Sequence, residues 1–332
     1  MKELGFRRLD YDYCLYIKQD VVLVLFVDDG LITGAEDQVQ ELVDSLHEKF
    51  LVKDLGTPSS FLGMQITHTK NGLHLSQSKM IDRLQKDFAI ENCRSIKTPM
   101  EVNFNLSDAQ IDPDSPNRKL VCSLMYLAVT TRPDISYSVL YLSRYLDKPT
   151  HDAWTAGKRI LRYLCGTRHL GLPYNKGSKP LEGKSDSDWG GDRLTRKSVS
   201  GFICFHAGNP IAWHSKKQNC VALSTMEAEY IAAGSAAQEL VNLRGVLSDL
   251  GGDISDGVSL KVDNVSAISM MCTFTNSKRG KHIEIKHHFI KDLCLNKVIN
   301  IEYISSNDNV ADIFTKSLGA EKFEKFRSFF LN

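Results

Sequence analysis

Past Leu181 the chain reads as a hairpin, one very long helix, and then strands and helices in alternation, and this order restricts its fold more than any other feature. Leu181 to Trp189 holds a short strand. Ser198 to Phe205 and Ile211 to Ser215 form a hairpin around Ala207-Gly208-Asn209-Pro210, with Asn219 to Leu223 a candidate addition. A helix runs from Thr225 to about Leu250 and stops at Gly251-Gly252, because glycine takes the left-handed conformation that ends helices. A strand at Val258 to Val262, helical segments through Leu295, a strand at Val298 to Ile304 and a terminal helix from Val310 follow. Strands first, then alternation, predict a mixed sheet with helices on its faces.

The first hundred residues have a different pattern. Val21 to Val27 is a continuous apolar run of the kind that forms a buried strand, preceded by Tyr13 to Ile17 across the turn Lys18-Gln19-Asp20. It stops at Asp28-Asp29-Gly30 and returns as Leu31-Ile32-Thr33, a hairpin. Val39, Leu42, Val43 and Leu46 share one face of a helix from about Gln38 to Phe50. Phe61 to Leu75 predicts a second hairpin closed by Asn71-Gly72, and Lys79 to Phe88 a second helix. Between these regions, Leu120 to Leu164 has helical spacing broken by Arg132-Pro133 and Lys148-Pro149, with linkers over 103–117 and 171–180.

With 332 residues the chain is too long for one ordinary domain. Lys plus Arg total 41 against 40 Asp plus Glu, so a polycationic coat for nucleic acid is excluded, although local basic clusters are not. The eight cysteines are scattered singly without a Cys-x-x-Cys pair, which argues against a zinc ribbon and for a reducing compartment. The first eight residues are not a signal peptide, and the longest apolar run is far short of the roughly 20 residues that span a bilayer.

Four acids in the last region stand where strands end or helices begin: Asp186, Glu227, Asp263 and Asp312. Adjacent strands would bring Asp186 and Asp263 together, and the two helices could bring Glu227 and Asp312 to the same edge. Carboxylates packed this way repel and need cations, and oxygen-only sites suit Mg²⁺. Taken singly, each has an ordinary explanation: Ser224 with Glu227 fits a capping box, Asp312 suits a helix's first turn, and Asp186 and Asp263 suit turns. Taken together, in this element order, they read as a metal site. Asp28-Asp29 is ambiguous, since Asp-Asp-Gly is a common turn and paired acids after a buried strand are also how a polymerase palm presents metal ligands.

Many separate motifs resemble, in order, those of copia-type long-terminal-repeat retrotransposon Pol polyproteins. Leu25-Phe26-Val27-Asp28-Asp29-Gly30 is similar to the reverse-transcriptase palm hairpin, and Phe61-Leu62-Gly63-Met64-Gln65-Ile66 to the element after it. Ser123-Leu124-Met125-Tyr126-Leu127, Thr131-Arg132-Pro133-Asp134-Ile135 and Lys158-Arg159-Ile160-Leu161-Arg162 resemble the connection segment. Ser185-Asp186-Ser187-Asp188-Trp189, Thr225-Met226-Glu227-Ala228-Glu229-Tyr230, Val262-Asp263-Asn264, Lys281-His282-Ile283-Glu284 and Asn309-Val310-Ala311-Asp312 resemble the ribonuclease H domain. Phe26 stands where the family usually has Tyr, and Cys122 where it usually has Gly.

The resemblance implies an α/β and α+β fold class: a partial reverse-transcriptase palm over 1–100, a helical connection over 101–180, and an RNase H-like mixed sheet with flanking helices over 181–332. It implies hydrolysis of the RNA strand of RNA–DNA hybrids with two Mg²⁺ ions, or Mn²⁺ in their place. Asp186, Glu227, Asp263 and Asp312 fall on the catalytic carboxylates and Asp28 and Asp29 on the polymerase pair, while Asp188 and Glu229, second in each motif, are set aside. Asp10 and Asp12 are expected in the strand entering the palm hairpin; a polymerase needs a further upstream carboxylate and a fingers region, so polymerisation by this stretch is not expected. Lys278, Arg279, Lys281, His282 and His288, with Lys158, Arg159 and Arg162, are candidates for tracking phosphates, the alternative being solvated or supporting helix faces. The expected partners are RNA–DNA hybrid and a complete reverse transcriptase, and the expected location a cytoplasmic virus-like particle or the nucleus. The competing reading is an inactive relic that binds nucleic acid without cutting it.

Overall fold

The computed structural model describes residues 1–332 except 92, 107–110, 253, 255 and 273–288. These residues divide into two compact units, Met1–Leu62 with Val241–Asp256, and Gly63–Leu240 with Gly257–Asn332. No helix among them is long and apolar enough to cross a membrane.

The first unit is an antiparallel sheet in chain order: β1 (Arg7–Arg8), β2 (Leu15–Lys18), β3 (Val21–Phe26) and β4 (Asp29–Thr33). The helix α1 (Glu36–Lys49) follows, and the short strand β5 (Ser60–Phe61) ends the unit's first stretch. Phe6, Val21, Leu23 and Leu42 form its small core. Alternate side chains of β3 face that core, so the apolar run is one strand with two different faces. The hairpin register pairs Phe26 with Asp29, which puts Val27 and Asp28 at the turn, one residue before the expected Asp28-Asp29-Gly30. Val27 there takes φ +54, an unfavourable value for a β-branched residue. Asp10 and Asp12 are not in a strand: they lie in the loop between β1 and β2, where Asp12 accepts a hydrogen bond from the Cys14 amide at 2.8 Å.

In the second unit β6 (Met64–Thr69) and β7 (Gly72–Ser76) form the expected hairpin, followed by α2 (Ser78–Asp87). Then come α3 (Asn117–Thr130), α4 (Ser136–Ser143) and α5 (His151–Gly166), with Pro133 opening a 3-10 turn between α3 and α4. The stretch read as a linker over 171–180 instead holds β8 (Leu172–Asn175), antiparallel to β7. A Cβ on Gly72 would lie 1.9 Å from the Tyr174 carbonyl oxygen, so glycine is required there by close approach and not by the turn alone.

The larger sheet of this unit has the order β11-β10-β9-β12-β13, from β9 (Glu182–Ser187), β10 (Val199–His206), β11 (Asn209–Lys217), β12 (Val258–Val262) and β13 (Ile299–Tyr303). β9, β10 and β11 run antiparallel, whereas β12 is parallel to both β9 and β13. Residues 219–223 add no strand. The helix α6 (Thr225–Asp249) lies between β11 and β12 in the chain, and α7 (Val265–Cys272) follows β12. The expected terminal helix is broken into a 3-10 turn, Val310–Phe314, and α8 (Ala320–Arg327). One continuous core joins α3, α4 and α5 to β10 and to this terminal segment through Leu124, Ile160, Ile203, Phe314 and Phe326.

A carboxylate cluster at the ends of two parallel strands

Strand register builds the site. β9 and β12 are parallel, with Ser259 beside Glu182 and Lys261 beside Lys184, so continuing the pairing sets Asp263 level with Asp186. Both therefore emerge at the same, carboxyl, edge of the sheet. The 3-10 turn brings the third acid: Asn309 caps it by accepting from the Ala311 amide at 3.2 Å and donates to the Ser185 carbonyl at 2.9 Å. That second bond ties the turn to the strand that carries Asp186. Carboxylate oxygens of Asp186, Asp263 and Asp312 lie within 4.8 Å of one another, the one such group of three or more potential ligands among the described residues. Gly201 makes room for the turn, since a Cβ there would lie 2.6 Å from Phe314 Cβ and 3.1 Å from its carbonyl carbon.

On α6 the acid that lies beside this cluster is Glu229, whereas Glu227, the acid expected there from the sequence, is engaged at the helix start. Glu227 accepts from the Leu223 amide at 2.8 Å while its own amide donates to Ser224 Oγ at 3.2 Å, a complete capping box. Two residues on, about 200° around the helix, Glu229 is buried and accepts from the Ser187 amide at 3.2 Å. The signal was present in the sequence: Glu229 lies three, four and seven residues before Ala232, Ala233 and Ala236, a buried stripe of small residues on which a helix packs closely. Asp188, the other second-place acid, accepts from the Val199 amide and is not one of the three clustered acids.

Burial raises the Glu229 carboxyl above the ordinary range, and the Asp186 and Asp263 charges push the same way. Burial also raises Asp186, with Lys316 opposing and Asp312 adding to the rise. Thr315 Oγ1 donates to Asp186 Oδ2. Two ammonium groups complete the site: Lys316 Nζ lies 2.6 Å from Asp312 Oδ1 and 3.8 Å from Asp186 Oδ2, and Lys322 Nζ 2.5 Å from Asp312 Oδ2.

The residues fit a hard divalent cation. Every donor is a carboxylate oxygen, and Glu229 Oε2 is buried without a hydrogen-bond partner among the described residues. Oxygen-only sets of this kind favour Mg²⁺ or Mn²⁺ over metals that prefer nitrogen or sulfur.

The remaining candidates are placed differently. Asp28 and Asp29 are exposed at the β3–β4 turn of the first unit. Arg159 pairs with Glu101 at 2.9 Å, Arg162 donates to the Arg94 carbonyl at 3.0 Å, and Lys158 lies over the Trp154 ring, so all three have intramolecular contacts, two of them to the segment before α3. Lys278, Arg279, Lys281, His282 and His288 lie outside the described residues.

The family described as reverse transcriptase (RNA-dependent DNA polymerase) matches residues 1–102. The retrovirus-related Pol polyprotein from transposon TNT 1-94 of Nicotiana tabacum is 36% identical over 98% of this chain, which spans 26% of that protein. The corresponding polyprotein from transposon RE1 of Arabidopsis thaliana is 35% identical over 98% of this chain, which spans 23% of it. The chain thus covers about a quarter of the length of these relatives. Among solved structures, a foamy viral protease-reverse transcriptase in complex with double-stranded DNA superposes with a TM-score of 0.51 at 14% identity, over 86% of this chain and 46% of that one, a likeness of fold. Near-complete coverage at this identity places the chain in the family of retrovirus-related Pol polyproteins of copia-type transposons.

Proposed function

We propose that the chain is a metal-dependent nuclease of the RNase H type that hydrolyses the RNA strand of RNA–DNA hybrids. The observation that carries this reading is the convergence of Asp186, Asp263 and Asp312, with Glu229 beside them, at the carboxyl edge of two parallel strands. These four side chains would hold the cations. Divalent ions held there would supply a positioned, activated water and would neutralise the leaving oxygen of a phosphodiester. The protein's own part is orientation: Asn309 fixes the Asp312 turn against β9, the Ser187 amide fixes one Glu229 oxygen, and Thr315 fixes one Asp186 oxygen.

Residues 181–332 are the proposed nuclease domain, 101–180 its connection, and 1–100 the part related to the polymerase palm. Among the described residues no third carboxylate joins Asp28 and Asp29, so no polymerase step is assigned to them. Action on hybrids places the protein where such hybrids form, in a virus-like particle or the nucleus.

The test uses the purified chain with an end-labelled RNA–DNA hybrid, the matching RNA duplex and a small phosphoester, with Mg²⁺ or chelator. The reading expects Mg²⁺-dependent cuts in the RNA of the hybrid alone. Hybrid binding without turnover would favour the second reading, a binding relic with a complete polymerase as partner; the exposed Tyr13, Phe26 and Val27 side chains of the first unit support that alternative. Cleavage of the small phosphoester alone would replace both with an unrelated phosphohydrolase.

A further inference from the structure

The two lysines at the carboxylate cluster are held in different ways. Lys322 Nζ meets Asp312 Oδ2 at 2.5 Å, donates to the Ser306 carbonyl at 3.3 Å, and lies 5.1 Å from the Phe326 ring centroid. Three groups therefore fix it, one of them a backbone carbonyl from outside the cluster. Among the described residues, the ion pairs of Lys316 are with the cluster itself, 2.6 Å to Asp312 Oδ1 and 3.8 Å to Asp186 Oδ2, and its side chain remains 44% exposed. An ammonium that bridges two buried carboxylates does electrostatically what a cation would do, and it is on a flexible stem open to solvent.

We propose that Lys316 is an exchangeable counter-ion: it neutralises Asp186 and Asp312 in the metal-free protein, competes with divalent cations for the same oxygens, and swings into solvent when they bind. Lys322 is by contrast a positioning residue that holds Asp312 Oδ2 and leaves Oδ1 as the oxygen Lys316 can yield. The proposal rests on the cluster being a metal site, and it makes metal affinity a compromise. The lysine keeps the empty cluster from repelling itself, and in doing so it weakens cation binding.

The probe is Mn²⁺ alone, titrated calorimetrically into the full chain, with melting temperature measured with and without metal. Lys316→Met should bind Mn²⁺ about tenfold more tightly, since one charge-assisted contact no longer competes, and should melt lower than wild type only when metal-free. Lys316→Arg should keep the wild-type affinity, and Lys322→Met should bind no more tightly than wild type. A second measurement needs no variant: acetylation of wild-type lysines, read by peptide mass spectrometry, should rise at Lys316 and stay level at Lys322 as Mn²⁺ is added. Unchanged or weaker binding by Lys316→Met, or labelling of Lys316 that ignores Mn²⁺, overturns the counter-ion role. Hybrid cleavage is scored separately: Mn²⁺ effects as predicted without cleavage would keep this proposal and remove the nuclease reading, and cleavage with Lys316→Met unchanged would do the reverse. A wild-type chain that binds no Mn²⁺ overturns both.

Discussion

Glu227 and Glu229 are two residues apart on one helix, and their chemistry differs because of where the helix turns them. Glu227 faces back along the helix and closes its first turn; Glu229 faces the sheet and meets Ser187. Glu229→Gln should therefore reduce hybrid cleavage by about 10²-fold or more with little change in melting, because it removes a ligand charge without changing shape. Glu227→Gln should leave cleavage within a few-fold and cost at most about 1 kcal/mol of stability, measured by denaturant titration. Asp192 offers a test in pH. Burial works against its charge, yet the Lys217 hydrogen bond, the Thr195 amide and the Lys217 and Arg144 charges bring its carboxyl down to about 2 from 3.8. A folded value below the unfolded one stabilises the protein above about pH 4, and that stabilisation is lost as pH falls toward 2. Asp192→Asn keeps an oxygen for the Leu194 and Thr195 amides while losing the charge that faces Arg144 and Lys217. It should cost about 2 kcal/mol at pH 6. The difference from wild type should shrink as unfolding is measured at successively lower pH, and a constant difference would contradict the assignment.

At the scale of elements, the order of strands and helices after Leu181 was legible because apolar periodicity and glycine stops are local signals, and they gave β9 to β13 and α6 nearly to the residue. Three features were not. Leu172-Pro173-Tyr174-Asn175 is too short and mixed to show alternation, and only its partner β7 makes it the strand β8. The apolar spacing of the terminal segment is continuous and predicts one helix, whereas Asn309 and Thr315 side-chain bonds tighten Val310–Phe314 into a 3-10 turn. The exchange of Glu229 for Glu227 could have been read from the alanine stripe, but the capping motif is the stronger local pattern. The turn also depends on a residue far from it in sequence. Gly201→Ala would place a methyl against Phe314 and push the Asp312 turn away from β10. The expected cost is about 1–3 kcal/mol of stability, read by thermal unfolding, together with weaker Mn²⁺ binding; an unperturbed variant would show that the turn can shift without loss.

At the scale of the whole molecule, the near-neutral balance of 41 basic and 40 acidic residues excluded a polycationic coat and said little else, because the informative charges are gathered locally. Asp186, Asp263 and Asp312 come from segments up to 126 positions apart, and only the parallel pairing of β9 with β12 brings the first two level. A second buried network, away from the cluster, joins distant segments too: Arg132 and Asp134 pair at 2.7 Å, Tyr163 donates to Asp134 at 2.5 Å, and Arg327 of α8 donates to the Tyr163 hydroxyl at 3.1 Å. The Thr131-Arg132-Pro133-Asp134 motif that resembled the connection segment is thus linked through Tyr163 to the helix that holds Lys322. Under the proposed function, Asp186, Glu229, Asp263 and Asp312 act as one hydrolytic centre. Its most direct test is the rate of Mg²⁺-dependent cleavage of a labelled RNA–DNA hybrid by wild type and by Asp186→Asn, with folding of both verified by melting. Cuts confined to the RNA strand are expected for wild type, with a loss of about 10²-fold or more for the variant. Equal cleavage by the two proteins, or none by wild type, would contradict it.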